Sequence, residues 1–128
     1  MPKKILVIDD SATSLMVNRI VITRRTPHEV LAADNGLEGL RLAISMKPDL
    51  ILLDVMMPGM DGLEVCRRLR SQAETVAIPV VLLTYSNEDD DVRRGFESGC
   101  NAYLNKPLED RKLTETINKY LEEKKPDV

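Results

Sequence analysis

Apolar residues in this chain fall into short unbroken runs, separated by longer stretches in which they recur every three or four positions. The strongest run, Leu50-Ile51-Leu52-Leu53, follows Pro48-Asp49 and ends in Asp54. Four consecutive apolar residues suit a strand buried on both faces, and Pro58-Gly59 and Asp61-Gly62 then signal turns. A similar run over residues 4–8 ends in Asp9-Asp10. A weaker one covers 29–33, one over 79–84 ends in the hydroxyl of Thr84, and one over 102–107 ends in Lys106-Pro107.

Between these strands the spacing predicts five helices. Ser11 offers an N-cap for the first, which runs to about Arg24 with Met16, Val17, Ile20 and Val21 as a broad apolar face before Thr26-Pro27 stops it. Asn35 and Glu38 open the second, with Leu37, Leu40, Ala43 and Ile44 on its apolar stripe. The third spans about 63–71, with Leu63, Cys66 and Leu69 on one face and Arg67, Arg68 and Arg70 mostly on the other. The fourth, capped by Ser86 or Asn87, is short and weakly hydrophobic, with Val92 and Phe96 as its stripe and Gly99 as its stop. The last covers about 110–122, with Leu113, Ile117, Tyr120 and Leu121 inward, and Lys124-Lys125-Pro126 reads as a frayed tail.

Strands alternating with helices, the strands continuous in apolar character, call for an α/β fold: a five-stranded parallel sheet in the order 2-1-3-4-5, with five helices covering both faces through right-handed crossovers. The 128 residues fit one domain, expected over 1–123 with a tail at 124–128. The apolar fraction of 43% and charged fraction of 30% are those of a globular protein, and no run reaches the length of a membrane span or forms a signal peptide. Cytoplasmic residence is the default expectation. A net charge of -3 argues against direct nucleic acid binding. Cys66 and Cys100 lie too far apart for a CxxC site and read as reduced, half-buried apolar residues.

In a doubly wound sheet, functional groups gather beyond the carboxyl ends of the strands. Those ends carry Asp9, Asp10, Asp54, Thr84 and Lys106, whereas Asp34-Asn35 end the edge strand and fall outside the cluster. Taken alone, Asp54 could simply cap a turn. Three carboxylates in one crevice repel unless a cation sits among them, and hard oxygen donors favour Mg²⁺ or Mn²⁺; there is no His-Cys set for zinc. With Lys106 and a hydroxyl donor added, the place suits a phosphoryl group, with Asp54 as nucleophile. Other charged features read more plainly. The arginines suit a solvated helix face, the 88–91 acids suit a helix dipole, and His28 suits a solvated loop unless it senses pH.

With these residues in place, the chain resembles the response-regulator receiver domains of two-component signalling, a single chemotaxis-regulator-like domain. The resemblance rests on Val7-Ile8-Asp9-Asp10-Ser11, on residues 52–62 around Asp54, on Leu82-Leu83-Thr84, and on Tyr103-Leu104-Asn105-Lys106-Pro107. It implies the flavodoxin-like doubly wound fold and a phosphorylation-dependent switch that is not a turnover enzyme, though it assists its own phosphorylation and dephosphorylation. It further implies Asp54 as the acceptor of phosphohistidine phosphorus from a sensor histidine kinase or phosphotransfer protein. Mg²⁺ would be held by Asp9, Asp10, Asp54 and the Met56 carbonyl. Thr84 and Lys106 would contact the phosphoryl oxygens, and the Lys106-Pro107 bond would be cis. Thr84 and Tyr103 would switch, changing which downstream protein binds the face of helix 4, strand 5 and helix 5; Tyr103 could instead be a fixed strand tyrosine.

One position departs from the family pattern. Tyr85 follows Thr84 where a small residue is usual, so its ring could overhang the site, point to solvent, or compete with Tyr103 for an inward pocket. With Met56 offering no polar group to a hydrolytic water, a long-lived phosphorylated state is expected. A pseudo-receiver scaffold that binds without phosphorylation is the alternative. A haloacid-dehalogenase-type phosphatase would need an Asp-x-Asp arrangement at strand one, whereas Asp9 and Asp10 are adjacent.

Overall fold

The computed structural model describes residues 2–122. Five strands, β1 (Lys4–Ile8), β2 (Glu29–Ala33), β3 (Leu50–Asp54), β4 (Val80–Thr84) and β5 (Ala102–Asn105), pair in parallel in the order β2-β1-β3-β4-β5. Helices α1 (Ala12–Arg25), α2 (Gly36–Met46), α3 (Gly62–Arg70), α4 (Asp89–Glu97) and α5 (Asp110–Leu121) connect them. The expected class and strand order hold, and the anticipated tail at 124–128 lies outside the described residues.

Strand alternation divides the core between the two faces. Leu6, Ile8, Ile51, Leu53, Val80 and Leu82 pack with Leu40 and Ala43 of α2 and Leu63, Cys66 and Leu69 of α3. Ile5, Val7, Leu50, Leu52, Val81 and Leu83 face the other way, onto Ile22 of α1 and Leu113, Ile117 and Leu121 of α5. Each fully buried aliphatic side chain contributes about 1.5–3 kcal/mol of transfer free energy. That double-sided burial is why the central strands read as unbroken apolar runs. Three helix starts carry side-chain caps: Ser11 Oγ accepts from Ser14 N–H, Asn35 Oδ1 from Glu38 N–H, and Asp61 Oδ1 from Glu64 N–H.

Several local expectations give way to tertiary packing. On α1, Met16, Val17 and Ile20 stay exposed, while Asn18 and Ile22 are buried and Leu15 and Val21 pack beside them. The inward stripe has a polar residue at its centre, which hid it from a pattern of apolar residues. Leu37 and Ile44 of α2 and Phe96 of α4 are likewise exposed, and Gly95 is the buried residue of α4. The residue before α4 is Glu88, without a side-chain cap, so neither Ser86 nor Asn87 caps it. Both cysteines are free and buried, not half-buried.

Arg67 and Arg68 pair with Glu64 on the surface as a solvated face would, but Arg70 departs from them. Its guanidinium donates to the carbonyls of Gly99, Val76 and Ile78 and to Asn101 Oδ1, tying α3 to the amino ends of β4 and β5. His28 is not simply solvated: its Nδ1 accepts the Lys3 N–H at 3.0 Å. Among the described residues, no helix is long and apolar enough to cross a membrane.

Candidate functional site

The sheet register brings the site together. Ile8 pairs with Leu53, so the next residues along, Asp9 and Asp54, emerge side by side. Asn105 pairs with Thr84, so Lys106 leaves β5 beside the end of β4. Lys106 Nζ lies 3.0 Å from Asp9 Oδ2 and 3.0 Å from Asp54 Oδ1. Side-chain exposures of 9% for Lys106, 2% for Asp9 and 7% for Asp54 place this bridge out of bulk water. Asp9 Oδ1 also accepts the Ser11 N–H, so the residue that caps α1 fixes the carboxylate as well. Asp10 is exposed at the rim, and Asp34 is exposed at the sheet edge, away from the cluster as expected.

Asp9, Asp10 and Asp54 each offer a carboxylate oxygen, all within 4.8 Å of one another. Burial raises the Asp54 carboxyl above its ordinary value; Lys106 opposes this, and the charges of Asp9 and Asp10 add to it. Burial pulls Lys106 downward, but its bonds to Asp9 and Asp54 outweigh that and leave it raised. Burial outweighs the pairing with Lys106, so Asp54 is raised even though it is paired, and one ammonium is left facing three carboxylates. Hard, crowded and under-compensated oxygen donors are what a small divalent cation requires, and the residues fit such an ion.

Two further features shape the rim. Gly62, which reads as a turn residue in the sequence, sits so close to β3 that a Cβ there would lie 2.4 Å from the Asp54 carbonyl oxygen and 2.8 Å from Val55 Cα. A glycine closing the second turn signal after the central acid, in Asp61-Gly62, was the available signal for that close approach. The Lys106-Pro107 peptide is cis.

Residues 5–118 match the sequence profile of the response regulator receiver domain. The chain belongs to that family. It is 40% identical to protein PilH of Pseudomonas aeruginosa over 92% of this chain and 97% of PilH. It is 44% identical to the transcriptional regulatory protein AfsQ1 of Streptomyces coelicolor over 94% of this chain, but spans only 52% of that longer protein. The solved chemotaxis protein CheY4 of Vibrio cholerae superposes with a TM-score of 0.89 at 28% identity, covering 94% of this chain and 100% of that one. The receiver domain of the sensor histidine kinase PA1611 from P. aeruginosa, solved with a magnesium ion coordinated in its active site cleft, superposes with a TM-score of 0.86 over 94% of this chain and 98% of that one. At 24% identity that likeness speaks for the fold. Receiver domains take phosphoryl groups from histidine kinases or phosphotransfer proteins. They act as phosphorylation-dependent signalling switches, and that is the general function of this chain.

Around this receiver's acid cluster, Thr84 is buried at the end of β4, and its Oγ1 accepts the Ser86 N–H at 3.2 Å. A hydroxyl that already accepts keeps its one proton free to donate elsewhere. Tyr103 is partly buried and packs against the α2–α3 side of the core, its hydroxyl donating to the Ser86 carbonyl at 2.8 Å. Tyr85 is 73% exposed, with its ring centroid 5.7 Å from Lys106 Nζ. Of the three positions open to Tyr85, the inward pocket is thus taken by Tyr103. Met56 is also 73% exposed, beside Thr84 on a groove that runs toward Arg94 of α4.

Proposed function

We propose that Asp54 is the phosphoacceptor of this receiver and that its partner donor is a protein phosphohistidine. The observation that carries this is the Lys106 ammonium shared between two buried carboxylates, 3.0 Å from each. In the transfer, an Asp54 carboxylate oxygen forms a bond to phosphorus as the phosphorus–nitrogen bond of the donor breaks, and the imidazole leaves with the electron pair. Lys106 then exchanges its contact with the Asp54 carboxylate for one with a phosphoryl oxygen, and Thr84 donates its free proton to another. Asp9, Asp10, Asp54 and the main-chain carbonyl of Met56 would hold Mg²⁺, or Mn²⁺, which supplies positive charge opposite the phosphoryl oxygens. Asp9 is kept oriented for this by the Ser11 amide.

A protein donor is favoured by the surroundings. Val17 of α1, exposed with Met16 and Ile20, lines a groove that also includes Tyr85, Lys106 and Leu108, so apolar contact area adjoins the reacting lysine. The phosphorylated state adds charge that Thr84 reads. Tyr103 and the face of α4, β5 and α5 then present a different surface to a downstream protein. No direct contact with nucleic acid or membrane is part of this reading.

Acetyl phosphate with Mg²⁺, followed by intact-mass measurement, tests the assignment. A gain of one phosphoryl group that is absent in Asp54→Asn supports it. Failure to phosphorylate with either acetyl phosphate or a phosphorylated histidine donor would leave the pseudo-receiver reading in its place. The Tyr85 ring beside Lys106 limits access of water to the acyl phosphate, and the apolar Met56 offers no group to orient a hydrolytic water. Loss of label from the purified phosphoprotein is therefore slow, and faster in Tyr85→Ala. Decay of the wild type within seconds contradicts this.

A further inference from the structure

Ser86 lies in the loop between β4 and α4 and joins three elements. Its amide donates to Thr84 Oγ1 at the end of β4, and its hydroxyl donates to Asp91 Oδ2 in the first turn of α4. Its carbonyl accepts from both Tyr103 Oη at 2.8 Å and Asn105 Nδ2 at 3.0 Å on β5. No other residue of that loop makes a comparable set among the described side-chain bonds.

The fastening of α4 gives this arrangement its weight. The helix buries only Gly95, where an added Cβ would come within 3.1 Å of Leu82 Cδ1 and of the Tyr103 ring. Its N-terminus has no side-chain cap, and its other charged contacts are exposed pairs within the helix, Arg93 with Asp90 and Glu97 and Arg94 with Asp91. Exposed pairs of this kind hold a helix weakly. The half-buried Ser86–Asp91 bond is therefore the strongest polar link from α4 to the site, and it is charge-assisted.

We propose that Ser86 is a positioning residue: its hydroxyl, held by Asp91, fastens α4 to the loop whose amide orients Thr84, so that binding at Asp54 and the fastening of α4 are coupled through this one side chain. The proposal rests on the phosphoacceptor reading above. With the loop fixed, the Ser86 amide occupies an acceptor site on Thr84 Oγ1 and holds that hydroxyl in place. Without Asp91, the loop and the hydroxyl must be ordered when the ligand arrives, which lowers affinity. Coupling of this sort is reciprocal, so a weaker tether at α4 and weaker binding at Asp54 are one effect measured at two places.

Hydrogen exchange of the α4 amides and ¹⁹F NMR titration with beryllium fluoride and Mg²⁺, a phosphoryl mimic, test this on the whole chain. In Ser86→Ala, exchange of residues 89–97 rises about tenfold without ligand, and the mimic binds at least about fivefold more weakly but still at Asp54. Ser86→Thr, which keeps the hydroxyl, stays near wild-type values; Asp91→Asn, which keeps an acceptor without its charge, falls between the wild type and Asp91→Ala; and Asp91→Ala matches Ser86→Ala. Unchanged α4 exchange or unchanged affinity in Ser86→Ala overturns the proposal. So does Asp91→Ala behaving like the wild type, because the Ser86 hydroxyl would then act without Asp91. If the wild type itself fails to bind the mimic, the phosphoacceptor reading falls. Unliganded exchange then decides the tether: faster in both Ser86→Ala and Asp91→Ala supports it, unchanged refutes it.

Discussion

Replacing Asp10 with Asn separates the stability of this receiver from its affinity for a cation, because the two respond in opposite directions. Asp9 and Asp54 share Lys106, but Asp10 has no such partner among the described residues and stands exposed at the rim. Its oxygen lies within 4.8 Å of those of Asp9 and Asp54. In a water-like dielectric each repulsion at that separation is about 0.9 kcal/mol, and the attraction to Lys106 cancels about one of the two. Asp10→Asn, nearly the same in shape, should therefore stabilise the metal-free fold by about 1 kcal/mol at low ionic strength, where screening is weak.

Magnesium closes the gap. If the site binds Mg²⁺ with a dissociation constant of about 1 mM, then about 10 mM Mg²⁺ stabilises the wild type by roughly 1.4 kcal/mol. A tenfold weaker site in the variant gains only about 0.4 kcal/mol, so the two proteins become nearly equal in stability. Urea titrations with EDTA and with Mg²⁺ read this directly. With a slope of about 1.5 kcal/mol/M, the metal-free midpoint of Asp10→Asn lies about 0.7 M above that of the wild type. A variant less stable than the wild type in EDTA refutes the repulsion argument. An equal Mg²⁺ gain in both proteins removes Asp10 from the ligand set.

Gly62→Ala should lose about 1–3 kcal/mol in the same titration, because the new methyl meets the main chain at Asp54 and Val55, which cannot rotate away, and the helical preference of alanine offsets at most about 1 kcal/mol. A neutral result there would show that α3 can slide along β3. His28 titrates below its ordinary value, first because it is partly buried and then because Lys3 is charged nearby, although Asp49 pulls the other way. The unfolded chain thus binds this proton more readily, and the stability that His28 contributes is present above about pH 6.5 and lost as pH falls through the lowered folded value. His28→Ala should flatten the dependence of the urea midpoint on pH in that window; an unaltered slope would exclude His28. Cys100 is pushed up to about 11, by burial first and then by Cys66, so its share of stability persists below its unfolded value and fades as pH rises toward about 11. Cys100→Ala should make the alkaline limb shallower.

What could be read from the chain and what could not follow a physical division. Asp9, Asp10, Asp54, Thr84 and Lys106 each end or follow a strand, and a parallel sheet delivers every strand end to the same edge, so topology alone brought them together. No angle had to be known. Helix faces do need one: an amphipathic stripe says that a helix packs, not how far it is rotated when it does. On α1 the stripe built from Leu15, Asn18 and Ile22 won over the more apolar one containing Met16, Val17 and Ile20. From the losing stripe, Val17 lines the groove that holds Lys106, which faces Asp54, and exposed apolar area there suits the proposed protein donor.

The polar links between elements were the least legible, because each depends on a carbonyl supplied by a distant turn. Arg70 read as one more solvated arginine, yet three main-chain carbonyls and Asn101 receive its protons. Ser86 read as a helix cap and instead binds β4, α4 and β5 together. These two links sit at opposite ends of the same strands and differ in what they can transmit. Arg70 binds fixed carbonyls at the amino ends of β4 and β5, at the far end of the strands from Asp54. Ser86 touches Thr84, whose hydroxyl partner would change on the proposed phosphorylation of Asp54. In a sheet too well buried to deform, a response at Asp54 has to leave through the loops at its carboxyl edge, and α4, with one buried residue and no cap, is the helix with least to hold it in place.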